Sequence, residues 1–240
     1  MKNGVVIAVA VGIAAALGFF VQRQFAPTPG DVPAGPVKVD VAAAPATGTS
    51  APSGEATTPA DEVAPAKVPE SLPQFALADR DGKKRTLKEW SGRPLMVNYW
   101  ATWCGPCRRE IPLLNQLRTQ RASQRLEIIG IAVDFRDDVL AYAKETTITY
   151  PLLIGEEDGL EAVKAVGMQP AFPFTVFADS KQRIVALKVG ELHQDEADLI
   201  LDRVVAIDAG KLELATARDQ ITEGLKEIAT RRAAAAAKPG

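Results

Sequence analysis

Apolar residues are distributed along this chain in four different ways, and each implies a different kind of structure. Residues 4–21 (GVVIAVAVGIAAALGFFV) form an unbroken small and apolar run. Roughly 17–25 such residues cross a bilayer core as a helix, so the run is long enough for one span. Residues 26–69 are rich in Pro, Ala, Thr, Val and Gly and contain no aromatic side chain. That composition cannot bury enough apolar surface to offset its ordering entropy, which predicts a disordered linker. Between 70 and 207, short apolar runs alternate with amphipathic stretches. From 208 to 240 the chain is rich in Ala, Lys, Glu and Arg, with Leu212, Leu214, Ile221, Leu225 and Ile228 near helical spacing. This predicts a helical tail that frays toward its end.

Within 70–207 the pattern predicts a strand over 74–79 running into a hairpin at Asp81-Gly82, and a buried strand over 95–100. A helix is predicted over 108–121, carrying Ile111, Leu113, Leu114 and Leu117, followed by a second buried strand over 127–133. Further on come a helix over 137–145, a strand over 150–154, a helix over 158–166, a hairpin spanning 174–189 and a helix over 195–207. Strands alternating with helices imply an α/β fold in layers around a central sheet. The terminal hairpin requires antiparallel neighbours, so that sheet is mixed. Four regions follow: an amino-terminal membrane anchor over 1–25, the linker over 26–69, a folded domain over 70–207 and the tail over 208–240.

The flanks of the apolar run refine its reading. A cleaved signal peptide is the alternative, but the run exceeds a usual signal core and no clean small-x-small site follows it. Lys2 and the free amino terminus favour a cytoplasmic amino end, a bias that Arg23 weakens. The domain would then lie on the far side of the inner (cytoplasmic) membrane, in a periplasm, on a single-pass anchor. The linker would give it a reach of about 35–40 Å.

Charge adds mainly exclusions. Twenty-eight Lys and Arg face thirty Asp and Glu, a formal net charge of −2, with no basic cluster of the kind a nucleic-acid binder carries. Cysteine usage is more telling, because both cysteines lie in Cys104-Gly105-Pro106-Cys107. A stapling disulfide restrains the unfolded chain most when its loop is long, so this pair contributes little as a staple. A structural zinc site wants four Cys or His ligands, and His193 is the only histidine; no metal site is assigned.

The motif follows a predicted strand and opens a predicted helix. A helix amino terminus presents unpaired N–H groups and partial positive charge, which stabilise a thiolate. Cys104 is therefore the nucleophile and Cys107 the resolving thiol. Gly105 and Pro106 allow the tight turn, proline being tolerated in a first helical turn.

The stretch Trp100-Ala-Thr-Trp-Cys-Gly-Pro-Cys-Arg-Arg-Glu-Ile-Pro112 resembles the thioredoxin superfamily, and more closely its membrane-associated TlpA/ResA-like branch. Ala171-Phe-Pro-Phe-Thr-Val-Phe resembles the segment carrying that family's cis-proline, which would be Pro173. A strand and a helix inserted between 143 and 169 also fit the branch. The resemblance implies a thioredoxin-like three-layer fold in which the Pro173 loop faces the cysteines and pairs with a substrate chain. It also implies that Trp103 lines the docking surface, with Gly105, Pro106 and Phe172 as the other substrate contacts. Thioredoxin carries a buried aspartate where this chain has Asn98, which cannot act as a base. The candidates for that duty are Asp137 first, then Asp134 and Glu110.

The function expected is a thiol–disulfide oxidoreductase acting on protein disulfides without a bound cofactor. The Gly-Pro pair matches reducing members, and cytochrome c maturation or oxidase assembly are the family-typical settings. The electron donor would resemble a membrane thiol carrier of the DsbD/CcdA type. A peroxiredoxin-like thiol peroxidase and a copper(I)-holding assembly chaperone are the alternatives. The first lacks its Pro-x-x-x-Thr-x-x-Cys setting, and the second lacks nearby methionine or histidine ligands.

Overall fold

Leu95 to Trp100 are six consecutive buried residues, as are the seven from Glu127 to Val133, and no surface strand could be built from either. They form β3 (Leu95–Trp100) and β4 (Glu127–Val133), which pair in parallel at the centre of the sheet in a computed structural model describing residues 68–237. The predicted anchor, and all but the last two residues of the predicted linker, lie outside the described residues. Among those described, no helix is long and apolar enough to cross a membrane.

Around this centre stand β1 (Ala76–Asp79), β2 (Lys84–Thr86), β5 (Leu152–Gly155), β6 (Phe174–Ala178) and β7 (Ile184–Val189). The sheet order is β2-β1-β5-β4-β3-β6-β7. β5 joins β4 in parallel, whereas β1, β6 and β7 enter antiparallel, giving the expected mixed sheet. The hairpin turn between β1 and β2 uses Gly82 at φ +83°, a conformation open to glycine at little cost.

Side-chain parity along β3 divides the core. Met96 and Trp100 face one layer, made by α1 (Gly105–Gln120), α2 (Arg136–Glu145), α4 (Gln194–Asp208) and α5 (Leu214–Ala236). Leu95, Val97 and Tyr99 face the other, where α3 (Glu157–Ala165) and a single 3-10 turn at Leu87–Trp90 cover the sheet. Period-two alternation thus yields three layers from a strand with no polar face. Asn98 shares the parity of Met96 and Trp100, so an amide enters the core beneath α1.

α1 begins at Gly105, three residues earlier than its apolar spacing predicts. The difference arises because Cys104 is the capping residue and the motif itself forms the first turn. α5 packs on α4 through Ala217, Ile221 and Ile228, with Gly224 held so close to Leu199 that a Cβ would stand 2.7 Å from its Cδ2.

Candidate active site

Cys104 occupies the cap of α1 with extended backbone, φ −82° and ψ 105°, and its Sγ accepts the N–H of Cys107 at 3.2 Å. The two cysteines form a disulfide with their Cα atoms 5.3 Å apart. Cys104 keeps 5% exposure and Cys107 none, so an incoming thiolate can reach only Cys104. In the reduced protein the same N–H group would face a Cys104 thiolate, the form a helix amino terminus favours. The loop before the helix is pinned from the end of β4. Asp134 Oδ2 accepts both the N–H of Thr102, at 2.9 Å, and its hydroxyl, at 2.5 Å.

Trp103 is 70% exposed although it adjoins a buried cysteine. Its ring stands edge-on to Phe172 at 6.1 Å, Phe172 stacks on Phe174 at 6.3 Å, and Phe174 stacks on Tyr99 at 4.4 Å. A column of rings therefore joins the motif loop to the Pro173 loop, rooted in β3. The Phe172–Pro173 bond is cis, and the carbonyl of buried Pro173 accepts the N–H of Gly190. Phe135, between β4 and α2, adds a second exposed ring. Gly105 is exposed and Pro106 half-buried in the first turn. Trp100 is fully buried core.

The three candidate acids have different surroundings. Asp137 stands exposed in the first turn of α2. Asp134 is committed to Thr102 and to the N–H of Phe135. Glu110 is 2% exposed and lies one turn along α1 from Cys107, on the same face. Its carboxylate accepts Asn98 Nδ2 at 2.7 Å and the backbone N–H of Leu192 at 2.8 Å. Asn98 Nδ2 also reaches Thr175 Oγ1 at 3.1 Å. Burial pushes the Glu110 carboxyl up to about 7, against the pull of those two donors. The acid enclosed beside the resolving cysteine is thus Glu110, with Asn98 as its partner. Two sequence signals could have ranked Glu110 first: its three-residue spacing from Cys107, and the parity of Asn98.

Outside this pocket, Arg109 grips Glu191 with two nitrogens at 2.5–3.2 Å, tying α1 to the loop after β7. Arg108 lies over the Tyr142 ring. His193 is an exposed residue at the start of α4.

The AhpC/TSA family profile matches residues 68–187. The thiol-disulfide oxidoreductase ResA of Bacillus thuringiensis subsp. konkukian is 28% identical over 139 residues, 58% of this chain and 79% of the relative. The thioredoxin-like protein YneN of Bacillus subtilis is 31% identical over 139 residues, covering 55% and 78% respectively. The thioredoxin domain of a thiol-disulfide oxidoreductase from Bacteroides vulgatus has the same fold, with a TM-score of 0.50 at 20% identity over 60% of this chain and 99% of that one. A thioredoxin-like sheet, a disulfide capping its first helix and these relatives together mean that the chain belongs to the AhpC/TSA family, as a thioredoxin-like thiol–disulfide oxidoreductase with Cys104 and Cys107 as its redox pair.

Proposed function

We propose that this enzyme is a membrane-tethered periplasmic reductant of protein disulfides, of the kind that serves cytochrome c maturation or oxidase assembly. In the reduced protein the Cys104 thiolate attacks one sulfur of a substrate disulfide. A mixed disulfide forms and the other substrate sulfur leaves as a thiolate. Cys107 then loses its proton to Glu110 and attacks Cys104 Sγ, releasing the second substrate thiolate and closing Cys104–Cys107. Glu110 here replaces Asp137 as the proton acceptor. Two electrons have passed to the substrate, and a membrane thiol carrier of the DsbD/CcdA type would return them by the reverse exchange. No bound cofactor takes part. Trp103, Phe172 and the Pro173 loop receive the substrate chain, with Gly105 and Pro106 beneath it.

The observation that supports the resolving step is the enclosed Glu110 carboxyl one turn along α1 from Cys107, raised by burial to about 7. A proton acceptor close to the ambient pH is the kind a resolving thiol needs. The reducing direction rests on the Gly-Pro pair, and the apolar run at residues 4–21 supports the tether. The test is the reduction potential of the full chain equilibrated against dithiothreitol or glutathione. A value near about −250 mV or below fits a reductant, and one near about −120 mV reverses the direction. Fractionation with membranes, and protection of the domain from externally added protease until the outer compartment is opened, tests the placement.

A further inference from the structure

α5 lies wholly beyond the stretch matched by the family profile, yet Arg232 near its end pairs with the first turn of α4, directly after the loop that serves Glu110. That loop, residues 190–193, joins β7 to α4, and its Leu192 N–H is one of the two donors on the buried carboxylate. Four side chains fix it. Arg109 holds Glu191, and Lys188 Nζ reaches the carbonyls of Val189 and Glu191. Glu110 takes the Leu192 N–H, and Glu196 takes that of His193 at 3.0 Å. Glu196 is 6% exposed, so its charge needs partners. It has Lys188 at 3.5 Å and, from α5, Arg232 Nη1 at 3.1 Å; the other Arg232 terminal nitrogen pairs with Asp195.

We propose that Arg232 is a positioning residue for the thiol chemistry: through Glu196 it holds the 190–193 loop so that the Leu192 N–H stays on Glu110. The proposal rests on Glu110 as the acceptor of the Cys107 proton. The groups around Glu110 set the sign of the effect. α1 brings Arg109, engaged by Glu191, and the cysteine pair. β3 and β6 bring only neutral Asn98 and Thr175. β7 brings Lys188, the loop brings Glu191, α4 brings Glu196, and the segment before β5 brings the Tyr150 hydroxyl, held neutral by burial. Without Arg232, Glu196 keeps Lys188 alone and draws it away from the loop carbonyls. The loop loosens and the Leu192 donor retreats from the carboxylate. This disfavours ionised Glu110, so resolution should require a higher pH.

The experiment uses the full reduced chain and dithiobis(nitrobenzoate), an aromatic disulfide. One thiolate leaves when Cys104 attacks and the second leaves when Cys107 resolves, so the slower release is followed from pH 5 to 9. Arg232→Ala should move the midpoint of that second release up by about half a pH unit, or about threefold in rate below the midpoint. Arg232→Gln keeps the stem of the side chain and should do the same if Arg232→Ala folds poorly. Arg232→Lys should restore the midpoint, and Arg231→Ala, on the exposed side of α5, should match the wild type. A midpoint unmoved in both Arg232→Ala and Arg232→Gln, or a rate lowered equally at every pH, overturns the proposal. Glu110→Gln separates the two layers of inference. If it abolishes the wild-type midpoint while Arg232 variants leave that midpoint in place, only the role of Arg232 falls. If the midpoint survives Glu110→Gln, both fall.

Discussion

Asn98 on β3 and Glu110 on α1 meet across 2.7 Å in the core beneath the disulfide, amide nitrogen to carboxylate oxygen. Asn98 cannot take a proton at neutral pH, but it stabilises the charged form of the residue that can. Leu192 adds a second donor. Burial still wins and lifts the carboxyl from 4.5 to about 7. The pair therefore holds a base that changes charge where thiol exchange operates.

This arrangement has a stability cost with a defined sign. A carboxyl raised on folding binds its proton more tightly in the folded state. Its contribution is present in full below the unfolded value near 4.5 and is lost as pH rises to about 7. At about 1.36 kcal/mol per pH unit, the loss is on the order of 3 kcal/mol. Urea unfolding at pH 4.5 and 8 should show the wild type losing that much relative to Glu110→Gln. Parallel behaviour of the two proteins would mean that Glu110 titrates like a surface carboxyl.

The same substitution should slow resolution by Cys107. Proton acceptors of this kind contribute about a hundredfold or more. Release of the second thiolate at pH 8 should fall by that order in Glu110→Gln, while the first release is retained. Asp137→Asn should leave both releases unchanged, because Asp137 is exposed on α2. A slow second release in Asp137→Asn would return the proton to that residue.

The contrast between these two acids marks what the sequence could and could not reveal. Sheet and helix order were legible because β3 and β4 are apolar throughout and α1 carries Ile111, Leu114 and Leu117 on one face. The redox pair was legible because two cysteines in one four-residue motif have few other uses. Asp137 gained precedence from chain proximity to a strand end, but proximity says nothing about burial. One of the two donors that hold Glu110 is the N–H of Leu192, which is 82 residues away and brought in by the β7–α4 loop. The link from Arg232 to Asp195 joins residues 37 apart and depends on how α5 crosses α4. Side-chain geometry between distant segments has no periodicity to betray it.

Trp103 offers a test of substrate docking that does not disturb the fold. It is 70% exposed and touches Phe172 only edge-on, so Trp103→Ala should change stability by no more than about 0.5 kcal/mol. Tryptophan is enriched among the residues that anchor a partner chain, whose truncation costs about 2 kcal/mol. Reduction of a protein disulfide should therefore slow by about thirtyfold in kcat/KM, while reduction of dithiobis(nitrobenzoate) stays within about twofold. Equal losses on both substrates would mean that Trp103 acts on Cys104 rather than on the substrate.

Gly155 tests the packing at the end of β5. A Cβ there would stand 2.8 Å from the backbone nitrogen of Gly159, 2.3 Å from Asp158 Oδ1 and 2.9 Å from Leu77 Cδ2. The Asp158 carboxylate can swing away, since its side chain is half exposed, but the Gly159 backbone is part of α3 and cannot. α3 would have to shift from β4, where Gly159 packs on Val133. Overpacking of this kind costs about 1–3 kcal/mol, more than the alanine recovers by restricting the unfolded chain. Gly155→Ala should therefore lower the urea midpoint, and with the disulfide on the opposite layer from α3, the second-release midpoint should stay at its wild-type pH. A midpoint in urea equal to or above that of the wild type would show that α3 yields more easily than its backbone contact with β5 implies.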